Sequence, residues 1–134
     1  MTAQPILDAE LIIATAVRNA LAPFVGTFTS RPKVYDSLAP QGAPKPFLVF
    51  QFQADITPDW RVGSAGASAL VTVRALAEDV DTARQLLATA APGMAHLTYD
   101  GYTLTARYVR SPRIPSLNGI FSSAHSWRIR IERE

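Results

Sequence analysis

The sequence predicts an α+β domain of two layers: a mainly antiparallel or mixed sheet of four to five strands, with two helices packed on one face. Three observations predict it. Two segments, one near the start and one after residue 78, carry apolar residues at helical spacing. Four segments alternate apolar and polar residues, which is the strand period. Clusters of Pro and Gly separate them.

The first helix is expected over residues 6–22. Ile13, Val17, Ala20, Leu21 and Phe24 fall on one stripe, and Asp8 and Glu10 sit where the helix dipole favours negative charge. Pro23 and Gly26 are read as its stop. Residues 27–46 hold Pro32, Pro40, Pro44 and Pro46 around Gly42, so a stiff loop is expected there, with room for one short edge strand at 33–36. Residues 47–54 read as a strand with Leu48, Phe50, Phe52 and Ala54 on one face. Residues 55–66 contain Pro58, Gly63 and Gly66 around Trp60 and Arg61, and read as a loop or the mobile tip of a hairpin. A strand returns at 69–77, with Val71, Val73 and Ala75 facing one way and Thr72 and Arg74 the other.

Asp79 is placed to cap a second helix reaching about Ala91, with Val80, Ala83, Leu87, Ala90 and Met94 as its buried stripe. Pro92-Gly93 is expected to end it. Asp100-Gly101 suggests a tight turn into a strand at 102–110, with Tyr102, Leu104, Ala106 and Tyr108 on one face. After a loop at 111–119, the last strand is expected at 121–132. Phe121, His125, Trp127, Ile129 and Ile131 share one face and Arg128 and Arg130 the other.

A length of 134 residues and the lack of an internal boundary give one domain, residues 1–134. Hydrophobic residues at 48% and charged residues at 18% describe a globular chain. The absence of cysteine excludes disulfides, thiolate metal sites and thiol nucleophiles. No aliphatic run is long enough to span a bilayer and no basic segment precedes an apolar one at the start, so a soluble intracellular protein without a membrane partner is expected. The net charge of +2 hides an asymmetry. Residues 1–100 carry seven basic and nine acidic side chains, and residues 101–134 carry six and two. Most of the cations are Arg, which suits ion pairs and phosphates. A solvated strand pair, a protein interface and nucleic-acid binding are all compatible with that pattern.

The search for chemistry returns absences. His96 and His125 have no second histidine at metal-ligand spacing. His125, beside Trp127, reads as a satisfied core or interface histidine. Asp79 and Asp81 read as helix-start residues. Gly63-Ser64-Ala65-Gly66 lacks the Lys-Ser/Thr of a phosphate loop and precedes a strand. No enzyme, cofactor or metal is expected.

Residues 34–50 go further. Val34-Tyr35-Asp36, a short spacer, Pro40-Gln41-Gly42-Ala43, and then Pro46-Phe47-Leu48-Val49 leading into a strand resemble the hallmark of the tail-completion, or tail-terminator, family of long-tailed bacteriophages and prophages. The layout of the remaining chain is compatible with that family. The resemblance implies a small α+β virion protein that forms a ring, commonly of six, on the head-proximal end of the tail tube. Such a ring caps tube polymerisation and offers the surface that joins the head. Implied partners are further copies of the chain, the tail-tube protein and a head–tail connector or neck protein, with DNA passing through the lumen without specific binding. The implied location is the virion tail, after assembly in the host cytoplasm. The family brings no catalytic residues. Val34, Tyr35, Asp36, Pro40, Gln41, Gly42 and Pro46 carry over as a conformational signature and subunit contact. Trp60 and Arg61, by residue type and loop position, and Arg128 and Arg130, on the outer face of the last strand, are the further candidates for subunit or tube contact. A neck protein of similar size and a small nucleic-acid-binding module are the alternatives.

Overall fold

The computed structural model describes residues 8–26, 33–53, 57–61, 64–112 and 120–133, and for 57–61 and 64–65 the backbone alone. The features expected at residues 6–7, 27–32, 54–56, 62–63 and 113–119 lie outside these. The elements run α1 (Ala9–Val25), β1 (Val34–Asp36), β2 (Phe47–Phe52), β3 (Thr57–Arg61), β4 (Ser64–Ala77), α2 (Val80–Ala90), a 3₁₀ helix (Ala91–His96), β5 (Tyr102–Arg110) and β6 (Phe121–Arg133). The sheet order is β1-β2-β4-β6-β5, with β3 beside β4. β1 pairs with β2 in parallel and every other pair is antiparallel. The α+β class is as expected, with one more strand.

That strand is β3. Residues 57–61 form this strand and 64–66 begin β4, where a loop or the mobile tip of a hairpin was expected; the two strands pair antiparallel, as the arms of a hairpin do. β4 is long enough to take two partners in succession along one edge: Val71–Leu76 pairs with β2, and Ser64–Ser68 with β3. Among the described residues β3 has a neighbour on one side only. Pro58, opposite Ala67, therefore lacks an N–H that an edge position can spare.

The helices lie on the sheet face formed by Leu48, Phe50, Val71, Val73, Ala75, Ile129 and Ile131, all buried with Ile12, Ile13, Val17, Leu21, Leu86 and Leu87 in one apolar cluster. α1 runs past Pro23 to Val25, beyond the expected end at 22. Pro23 forfeits an intrahelical bond, but burial of Val25 holds the last turn, and the Gly26 N–H closes it on the Ala22 carbonyl at 3.1 Å.

Asp79 caps α2 as expected. Its Oδ1 accepts from the Thr82 N–H at 2.8 Å and its Oδ2 from the Thr82 hydroxyl at 2.7 Å. These bonds, the backbone one foremost, hold the Asp79 carboxyl below its ordinary pKa. The buried stripe of α2 is Ala83, Leu86, Leu87 and Ala90. Val80, expected in it, is exposed, because the first residue of the helix stands clear of the sheet. α2 ends at Ala90, just before Pro92-Gly93 as expected, and the chain then tightens into a 3₁₀ turn that buries Met94. Gly93 lies so close to α1 that a Cβ there would stand 2.8 Å from the Ala20 carbonyl oxygen. The expected turn before β5 is present, with the Tyr102 N–H bonded to the Tyr99 carbonyl at 3.1 Å.

Candidate functional site

Among the described residues the second face of the sheet carries no helix, and its two ends differ. At one end the signature segment folds back over β2 and β4. Tyr35, opposite Val49 in β1–β2, meets the Phe47 ring edge-on at 5.6 Å. Asp36 pairs with Arg18 of α1 at 3.8 Å, which ties the edge strand to the helix layer. Pro40-Gln41-Gly42-Ala43 is a turn closed by the Ala43 N–H on the Pro40 carbonyl at 3.1 Å. Gly42 has φ 79°, the value that the third position of a type II turn requires and that a side chain resists. Pro46 follows a cis peptide bond and leads into β2. Beneath the loop, Phe47 and Val49 are buried although no helix covers them. A cavity of about 340 Å³ remains between loop and sheet, lined by Leu38, Pro40, Phe47, Val49, Leu76 and Ile120. Arg74 also lines it, and its Nε is buried with no hydrogen-bond partner among the described residues. Leu38 stands 83% exposed at the rim.

The centre of this face is dry and polar. Thr72, on the face opposite Val71 and Val73 as expected, is 2% exposed, and its cross-strand partner Ser126 is fully buried. The Ser126 hydroxyl donates to Gln53 Oε1 at 3.2 Å, which leaves its oxygen to accept from the Thr72 hydroxyl at 3.0 Å. The chain of two hydroxyls and an amide satisfies groups that would otherwise oppose burial.

The far end is cationic. Arg128 of β6 pairs directly with Arg107 of β5, and both are exposed. Arg130, one row further, is half-buried and donates through Nε to Glu132 at 2.6 Å. A register shift between Tyr108 and Arg110 marks a bulge, after which Arg110 stands opposite Ser126. The bulge turns Arg110 onto the face of Arg107 and Arg128.

The seven signature residues thus form one local unit. The other candidates are not brought to it. Arg61 pairs with Ser64 and Phe47 with Leu76, so the β3 end of β4 lies about 40 Å from the loop at roughly 3.3 Å per residue. Of Trp60 and Arg61 only the strand position is described. Leu38, Arg107 and Arg110 were not among the expected site residues. Leu38 belongs to no periodic pattern, and strict alternation sends Arg110 to the wrong face.

On the helix face, His125, Tyr108 and Trp127 form an edge-on aromatic trio with centroids 5.5–6.3 Å apart. Trp127 is half-buried rather than fully in the core. His125 is not the satisfied histidine expected: its Nδ1 is buried with no partner among the described residues. Burial pushes its pKa down, so the ring is held neutral.

No protein-family model matches this sequence, and no curated protein matches it. The fold is similar to that of a solved chain in the virion of a native gene transfer agent particle. The two share 20% sequence identity with a TM-score of 0.63, over 88% of this chain and 92% of that one. The likeness is one of fold.

Proposed function

We propose that the protein is a virion assembly protein, a tail terminator, without enzymatic activity. Six copies form a ring that caps the head-proximal end of a phage tail tube, stops its polymerisation and offers the surface that joins the head. The observation that supports this reading is the signature segment. Residues 34–50, which resemble the tail-terminator hallmark, form one compact β1–turn–β2 unit, and the fold around it is similar to that of a chain in a gene transfer agent virion. The apolar surface is distributed as a ring requires. Leu38 is exposed in the loop folded over β2 and β4, toward one end of the sheet, and Tyr108 and Val109 are 49% and 44% exposed on β5 at the other. Different patches on opposite ends associate head to tail, and a head-to-tail contact that closes gives a ring. The braced loop loses little further entropy on docking. Arg18–Asp36 and the Gly42 turn are assigned to hold that loop in shape, and Trp60 and Arg61, on a separate edge, to the tube.

Native mass measurement and negative-stain imaging test this, on the protein alone and mixed with its cognate tail-tube protein. Closed rings, or caps at one end of the tubes, are expected, and Leu38→Asp abolishes them while the monomer stays folded. A persistent monomer that leaves tubes uncapped overturns the reading and favours a neck protein.

A further inference from the structure

The cationic end of the uncovered face is built in a way that a solvated surface does not require. Arg107 and Arg128 are directly opposite each other on neighbouring strands. Like charges in that position repel and destabilise the pair. The bulge at Val109 adds Arg110 to the same face, when regular alternation would have sent it to the helix side. The nearest acid of that face, Glu132, is engaged by Arg130. Asp59, opposite Gly66, shares the Glu132 row, two rows beyond Arg128. No acid of the described strands is therefore placed to neutralise Arg107, Arg110 and Arg128 across the sheet.

The geometry points to the phosphodiester backbone of double-stranded DNA as the occupant of this face, bound through Arg107, Arg110 and Arg128 without sequence preference. Charge complementarity requires an anion, and the company of these arginines selects which. Thr103 and Thr105 of β5 are exposed and, with Ser68 of β4, take alternate positions on the same face. Arg, Ser and Thr are the side chains that contact phosphate oxygens. The core of a protein interface instead draws on aromatic and apolar anchors. The exposed apolar residues Leu11, Leu38 and Val80 lie off these rows, and Tyr108, although between Arg107 and Arg110 on β5, belongs to the helix face. Val109 is the exposed bulge residue, and Leu70, opposite Arg128, is half-buried. Among the described residues no aromatic side chain shares the arginine rows, so these rows offer bases no surface to stack on and the contact stays with the backbone. The inference rests on the terminator reading for the presence of DNA, and adds to it a weak, salt-sensitive contact with the duplex that the ring surrounds. A few arginines per subunit, repeated around a ring, would hold the duplex near the axis and still release it, because each contact exchanges with counterions.

The full chain and its Arg107→Gln/Arg128→Gln variant are titrated with a short duplex of random sequence across a salt series, with polyglutamate as a second probe and tube capping as a separate readout. The wild type is expected to bind duplexes of different sequence equally, and the variant to lose about 0.9 from the slope of log K against log salt for each phosphate contact removed. Tube capping is read on Arg107→Gln alone, which leaves Arg128, a candidate tube contact, in place and is expected to cap tubes. Arg110→Gln alone lowers the slope by one such step, which tests the bulge. Equal binding by wild type and variant, or binding of polyglutamate in preference to DNA, overturns the inference. Capping without DNA binding overturns it and leaves the terminator reading standing. Arginine-dependent DNA binding without capping keeps the inference and removes the terminator.

Discussion

The two ends of the uncovered sheet face belong to one sheet, and physical chemistry treats them in opposite ways. At the β1–β2 end, Phe47, Val49 and Leu76 present apolar side chains that no helix covers, and the proline-rich loop folds back to do so. At the β6–β5 end, Arg107 and Arg128 stand exposed and opposed. The first end gains stability from its arrangement through burial. The second loses some through repulsion. The buried Thr72–Ser126–Gln53 chain separates them and keeps the strands in register between a dry end and a wet one. An uncovered face need not be a solvated one. Its role is read row by row, from which side chains lack what they need.

The comparison can be broken first at its dry end. Phe47 is 7% exposed under the loop and meets the Tyr35 ring. Phe47→Ala is expected to cost about 3–5 kcal/mol, as for a core aromatic, read as a fall in the denaturant midpoint. A loss below about 1 kcal/mol would show that the loop does not seal the face, and the two ends would then be alike. A smaller effect is expected at Gly42. With φ at 79° and nothing within 4 Å of a Cβ added there, Gly42→Ala meets backbone strain and no clash. It should cost about 1–2 kcal/mol. Gly42→Asn, which tolerates the left-handed region, should recover part of that loss. Equal losses for the two variants would mean that the turn is not what holds the loop.

Much of the fold was legible because its signals are local. The stripes of the two helices, the Asp79 cap, the Asp100-Gly101 turn and the faces of the final strand all follow from spacing within a few residues. The errors came where the environment decides. Pro58 argues against a strand unless β3 is known to lie at an edge. Pro23 argues for a stop unless Val25 is known to be buried. The burial of Thr72 could not be read from its face alone, because its partner Ser126 lies far along the chain. The site divides in the same way. The signature loop is contiguous in sequence and could be read as a unit. The arginine end joins residues of two strands across a bulge, and neither the pairing of Arg107 with Arg128 nor the turning of Arg110 is visible before the register is known.

The smallest expected effect sharpens the comparison most, because its sign differs from those above. Arg107→Gln removes one of two opposed charges from an exposed strand and buries nothing. If the pair repels, stability should rise, by a few tenths and at most about 1 kcal/mol. Repulsion between exposed charges is screened by salt, so the gain should shrink as salt is added and the wild type and variant midpoints should converge. A gain that persists at high salt would instead reflect strand propensity, and a loss would mean that the Arg107 side chain packs favourably along the strand. A salt-sensitive gain would show that the free protein carries an unfavourable arrangement that a bound polyanion would relieve. The same substitution would then raise the stability of the monomer and weaken its hold on DNA, the trade expected of a residue placed for binding rather than for folding.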